Sequence, residues 1–70
     1  MTLIEANIGE DYLIKDVLSE DEELNAFLFS LGCYSGEMIR VIAYRNGGYT
    51  VAIKDARYNI DRQLAEAIRV

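Results

Sequence analysis

The cleanest alternation of hydrophobic and polar positions lies past the middle of the chain. Tyr49-Thr50-Val51-Ala52-Ile53-Lys54 repeats with a period of two and predicts a half-buried strand. Met38 to Tyr44 predicts a partner strand, with Ile39, Val41 and Ala43 on one side and Met38, Arg40, Ile42 and Tyr44 on the other. Between them, Asn46-Gly47-Gly48 supplies residues that tolerate the positive φ of a tight hairpin. Asp55-Ala56 reads as a second turn, and Arg57-Tyr58-Asn59-Ile60 as a third strand. Asp61 can cap one or two helical turns through Glu66, after which Ile68-Arg69-Val70 closes the chain as a short strand.

The N-terminal half follows a different rule. Leu3, Ile4, Ala6 and Ile8 give a short apolar opening, read as a strand that stops at Gly9. Tyr12 to Leu18 reads as one strand with apolar groups on both faces, which suggests a bulge or a covered outer face. Ser19-Glu20-Asp21-Glu22 has the form of a capping box, with Ser19 as cap and Glu22 reaching back. Leu24, Phe27, Leu28 and Leu31 then fall on one face of a helix over about residues 20–31. Gly32 stands where a left-handed residue ends that helix, and Tyr34-Ser35-Gly36-Glu37 reads as a turn. The order is strand, strand, helix, three meandering strands, a helical turn and a strand. About five short strands in one domain over residues 1–70 predict a mainly β, SH3-like barrel, whose closure removes exposed sheet edges.

Composition narrows the function. The chain has 70 residues, 51% of them hydrophobic, so it folds rather than staying disordered, but its core is small. It has one cysteine, Cys33, and no histidine, which leaves neither an intrachain disulfide nor a zinc finger. The net charge of −5 argues against nucleic-acid binding, which needs a basic footprint. That charge is unevenly spread: residues 1–36 hold eight acids and one base, and residues 37–70 hold four acids and six bases. No targeting segment or apolar run near the roughly 20 residues of a membrane span is visible, so a soluble cytoplasmic protein without membrane insertion is expected.

Catalytic chemistry is not expected. The phosphate loop, the dinucleotide glycine motif and the nucleophile elbow are missing from the sequence. Glu20 to Glu23 are consecutive acids at a helix start, where they complement the dipole; a loose cation site is the alternative. Cys33 reads as a small filler after Gly32, with a reactive thiol or soft-metal ligand as the alternative. No cofactor and no metal site are assigned. Tyr44 and Tyr49 flank the hairpin turn and can stack across it or form a contact surface. Phe29 falls off the apolar helix face, so either the barrel covers it or it belongs to a partner or dimer surface. Phe29, Tyr44, Arg45 and Tyr49 are the candidate partner-binding residues.

From Leu24 to Val70 the chain resembles the ferrous iron transport protein A (FeoA) family. The helix end Ser30-Leu31-Gly32 is similar to the family's L-x-x-L-G, and Ser35-Gly36 stands at its P-G position. Met38 to Ile42 is similar to its I-x-V-I strand, and Ile60, Ala65, Ile68 and Val70 fit its closing pattern. Ala6, Gly9, Ile14 and Val17 look like the family's start. The chain differs at Asn25, where the family often has Arg, and at Ser35, Asp61 and the hairpin. The resemblance implies an SH3-like domain and a cytoplasmic accessory that contacts the membrane ferrous iron transporter FeoB and modulates its GTP-dependent activity. The alternatives are a metal-responsive or redox-sensing protein using Cys33, and a self-associating adaptor whose homodimer interface hides residues 12–18 and Phe29.

Overall fold

A computed structural model describes residues 1–70. A 3-10 turn at Leu3–Glu5 leads to β1 (Asp11–Leu13) and β2 (Asp16–Val17), then α1 (Glu22–Ser30). The meander β3 (Met38–Arg45), β4 (Gly48–Ile53) and β5 (Ala56–Asp61) follows, and α2 (Arg62–Ala67) and β6 (Ile68–Arg69) end the chain. The antiparallel order is β1-β3-β4-β5 in one sheet and β2-β6 in the other. The fold is therefore mainly β and SH3-like in its arrangement, as the order of elements predicts. No helix is long and apolar enough to cross a membrane.

The meander forms where local chemistry dictates it. Asn46 and Gly47 are the two central residues of the β3–β4 turn, and both have positive φ, 52° and 78°. That geometry matches the right-handed twist of the flanking strands. In β4, Tyr49, Val51 and Ile53 point inward and form the floor of the core. Leu3, Ile14, Leu28, Cys33, Ile39, Val41, Ile60, Ala65, Ala67, Ile68 and Val70 complete it. Asp61 caps α2, accepting from Leu64 N at 2.9 Å.

β3 departs from the simple alternation. Ile39 and Val41 pair with Ile53 and Val51, but the register then slips, so that Ala43 faces Thr50 and Tyr44 faces Tyr49. One extra residue in β3, Ile42, flips the parity beyond it. Ala43 thus leaves the Ile39–Val41 face and Tyr44 joins it, the reverse of the strict alternation.

The N-terminal half also corrects the sequence reading. Tyr12–Leu18 is not one strand. It breaks at Ile14-Lys15, where Ile14 N donates to Glu37 O and Lys15 N to Arg69 O, each at 2.8 Å. Ile14 is a buried core residue, and the segment crosses there from one sheet to the other. The apolar opening is a 3-10 turn, not a strand; only Thr2 bridges to Arg69, and Val70 N donates to Met1 O. β6 therefore lies between the N-terminal segment and β2.

The helix cap is Asp21, two residues past the expected Ser19. Its Oδ1 accepts from Glu23 N at 3.0 Å and Leu24 N at 3.2 Å, while Ser19 Oγ accepts from Asp21 N. Asp21 carries a carboxylate against the N-terminal dipole and displaces the neutral hydroxyl from that role. Only Leu28 of α1 is fully buried, with Leu24 and Leu31 partly so. A stripe that narrow leaves Phe27 at its edge, 48% exposed, and not in the core as its spacing suggests.

Candidate interaction surface

Cys33 is buried to 1% exposure, and burial pushes its thiol up to about 11. At neutral pH it holds its proton, which is the wrong state for a nucleophile or a soft-metal ligand. Its amide donates to Leu28 O at 3.0 Å and so helps to end the helix. No three His, Cys, Asp or Glu side chains cluster as a metal site would require.

The most exposed aromatic ring is Phe29, at 66%. It is held in place by how α1 stops. Gly32 adopts φ +89°, its amide donates to Phe29 O, and the amide of Cys33 reaches Leu28 O, each at 3.0 Å. These two bonds are a Schellman ending, and the reversal brings Tyr34 back beneath Phe29. The ring centroids lie 5.0 Å apart with the planes tilted by 35°. A Cβ on Gly32 would stand 3.3 Å from Cε of Lys54 and 3.4 Å from Ile53, a tight fit that adds to the strain of its left-handed φ.

Lys54 fixes Tyr34 from the other side. It sits in the β4–β5 turn with φ 56°, one of two non-glycine residues at positive φ. Nζ donates to Tyr34 Oη at 2.6 Å, lies 4.9 Å from the Tyr34 ring centroid, and is 3.8 Å from Glu37 Oε1. The Tyr34 hydroxyl first, then the Glu37 charge, push the Lys54 ammonium up, against the opposing effect of desolvation. Phe29 thus crowns a ridge with a fixed base. One groove beside it is lined by Leu31, Gly32, Lys54 and Tyr58; the other by Asp16, Val17, Asn25, Cys33 and Ser35. In the second groove, Asn25 Nδ2 donates to Ser19 O at 2.9 Å while its buried Oδ1 has no partner within the chain. Asp16 Oδ1 is 2.9 Å from Arg69 Nε, an approach close enough for a charge pair but too poorly directed to hydrogen-bond that oxygen.

The other three candidates sit elsewhere. Tyr44 and Tyr49 stack across the hairpin, centroids 4.7 Å apart and planes within 4°. Tyr49 is 7% exposed and belongs to the core, while Tyr44 covers it and keeps 46% exposure. Arg45 lines a groove next to Tyr49 with Ala43, Thr50 and Asn59. That groove shares no residue with those at Phe29, so the structure does not bring Phe29 together with the other three candidates, and of those three only Tyr44 and Arg45 are exposed. Tyr34 and Lys54 were missed by sequence reasoning. The position of Tyr34, two residues past a helix-ending glycine, was a signal that it would fold back under the last helical turn.

Comparison with known proteins places these features in context. The family model for the FeoA domain matches residues 1–70. No curated protein sequence matches the chain. Among solved structures, the zinc complex of FeoA from Stenotrophomonas maltophilia, described as a prokaryotic SH3 domain protein, is similar with a TM-score of 0.86 at 22% identity, covering 99% of this chain and 87% of that one. The solution structure of FeoA from Chlorobium tepidum gives 0.86 at 22% identity, covering 99% and 67%. A manganese-dependent transcriptional repressor gives 0.88 at 24% identity, but the chain spans only 39% of it. At these identities the structural likeness establishes the fold alone.

Proposed function

This chain belongs to the FeoA domain family, and from that premise we propose that it is a cytoplasmic accessory of ferrous iron transport that docks on the cytoplasmic part of the membrane transporter FeoB and modulates its GTP-dependent activity. The observation that carries the reading is the Phe29 ridge. A large apolar ring is left two-thirds exposed on a base made rigid by Tyr34 and Lys54. Aromatic rings held in place beside grooves are what interface hot spots are built from. Partners that use such rings gain contact area while ordering few rotatable bonds.

The Stenotrophomonas maltophilia protein is described in terms of ferrous iron transport activation, and the same role extends to this chain through the shared family. The contact is formed by side chains alone, with no metal or cofactor bound by the accessory. The experiment is GTP hydrolysis by the transporter's soluble GTP-binding part, measured with increasing amounts of this protein. A saturable change in rate, absent with Phe29→Ala, supports the reading. A rate indifferent to the wild-type protein at low salt overturns it.

A further inference from the structure

Across the outward face of the four-stranded sheet, the pairing lines up one row of side chains. Asp11 is opposite Arg40, Arg40 opposite Ala52, and Ala52 opposite Arg57. Adjacent strands are about 4.8 Å apart, so the two arginine backbones stand on either side of Ala52, roughly 10 Å from each other. The methyl group of Ala52 leaves a gap between two long cationic side chains. The open groove along this row is also lined by Met38, Ile42, Glu37 and Lys54.

The arginines differ in what already holds them. Arg40 grips Asp11 in a bidentate pair, Nε to Oδ1 at 2.8 Å and Nη2 to Oδ2 at 3.0 Å, which fixes its guanidinium over the sheet. Arg57 is exposed and makes no ion pair, although the chain carries an excess of acids. With three cations and two acids, the groove has a net charge of +1. That balance suits one carboxylate. A doubly charged phosphate would meet repulsion from Asp11 and Glu37, and so would an acidic run such as Glu20–Glu23 of a second copy. Met38, 47% exposed, and the half-buried Ile42 offer apolar contact on either side.

We infer that this sheet face is a second docking surface, built to receive a single Asp or Glu flanked by apolar residues on a partner protein, with the carboxylate seated over Ala52 between Arg40 and Arg57. The inference deepens the docking reading above by naming a partner chemistry, but it concerns a face that shares only Lys54 with the grooves at Phe29 and can be tested without the transporter.

The probe is N-acetyl-Leu-Glu-Leu-amide, titrated into the isotope-labelled full chain by NMR, with the Gln counterpart as control. Saturable shifts are expected at the Arg40, Ala52 and Arg57 amides and at the Arg57 Nε–H, with affinity about fivefold weaker for the Gln peptide. Arg57→Gln, at an exposed site, should weaken the Glu peptide by a similar factor. Ala52→Glu supplies the carboxylate internally: the Arg57 Nε–H should already sit near its bound position and the peptide response should vanish. Equal responses to the two peptides, no saturable response up to tens of millimolar, or an unaffected Arg57→Gln would overturn the proposal. So would low-salt self-association that Arg57→Gln abolishes, since the occupant would then be a second copy. Loss of the peptide response with retained effect on the transporter removes this surface and leaves the Phe29 reading standing.

Discussion

The helix end and the hairpin tip each carry two neighbouring aromatic rings, and the fold treats the pairs in opposite ways. At the hairpin, Tyr44 and Tyr49 lie flat on each other, and one of them is buried in the core. At the helix end, Phe29 rests on Tyr34 at a tilt and remains largely in water. The first pair stabilises the barrel. The second keeps its apolar surface uncovered although the chain has polar residues that would serve there at no cost in burial. Aromatic content alone does not mark a contact surface; the covering by neighbouring elements does.

Removing one ring from each pair separates the two roles most strongly. Tyr49→Ala should lower unfolding stability by about 3 kcal/mol, because it opens a cavity in the core and strips Tyr44 of its partner. Phe29→Ala should move the urea midpoint hardly at all, by at most about 0.5 kcal/mol. Comparable losses for the two in urea unfolding would erase the distinction.

Cys33 lies behind the helix end and gives that region a pH dependence. Its thiol is raised from 9.0 to about 11 in the folded chain. The folded state therefore holds the proton more tightly than the unfolded one. Stability is unaffected by this group below about pH 9 and falls between pH 9 and 11, at about 1.4 kcal/mol per unit at most. Urea midpoints of wild type and Cys33→Ala across that window should converge as pH rises if the thiol is responsible. Parallel curves would mean that it is not.

Gly32→Ala probes the geometry that sets the ridge. The left-handed φ and the close approach of Lys54 and Ile53 both oppose a side chain, and a loss of about 1–2 kcal/mol is expected. NMR shifts should concentrate at Phe29, Tyr34 and Lys54 and spare Tyr44 and Tyr49. The smallest effect is at Asp11. The hydrogen bond from Arg40 holds its carboxyl below the usual range despite slight desolvation. The pair thus stabilises the fold above that range and is lost as pH falls through the lowered value. Because both groups are exposed, Asp11→Asn should remove only a weak, salt-screened pH dependence below pH 4.

The same contrast explains how much could be read from the residues. The Asn46-Gly47 turn, the Gly32 helix end and the Asp61 cap are decided within a few positions, so spacing alone revealed them. The break at Ile14-Lys15 depends on Glu37 and Arg69, far along the chain, and no local pattern announces it. The extra residue at Ile42 reverses which face Tyr44 occupies, and this is visible only once β4 fixes the register. The exposure of Phe29 was one of the two readings its break from the helix periodicity allowed. The stack of Tyr49 on Tyr44 was one of the two readings their places beside the turn allowed, but the burial of Tyr49 depends on its neighbours in the core. Lys54 was hidden because its role arises from a left-handed turn meeting Tyr34 across a separation of 20 residues.

The most direct measurement is the affinity of the transporter's soluble GTP-binding part for wild type, Phe29→Ala and Tyr44→Ala, by calorimetric titration at low salt. Docking on the ridge requires saturable binding by wild type, about a tenfold loss for Phe29→Ala and little change for Tyr44→Ala. Unchanged binding by Phe29→Ala, or a larger loss from Tyr44→Ala, would contradict it.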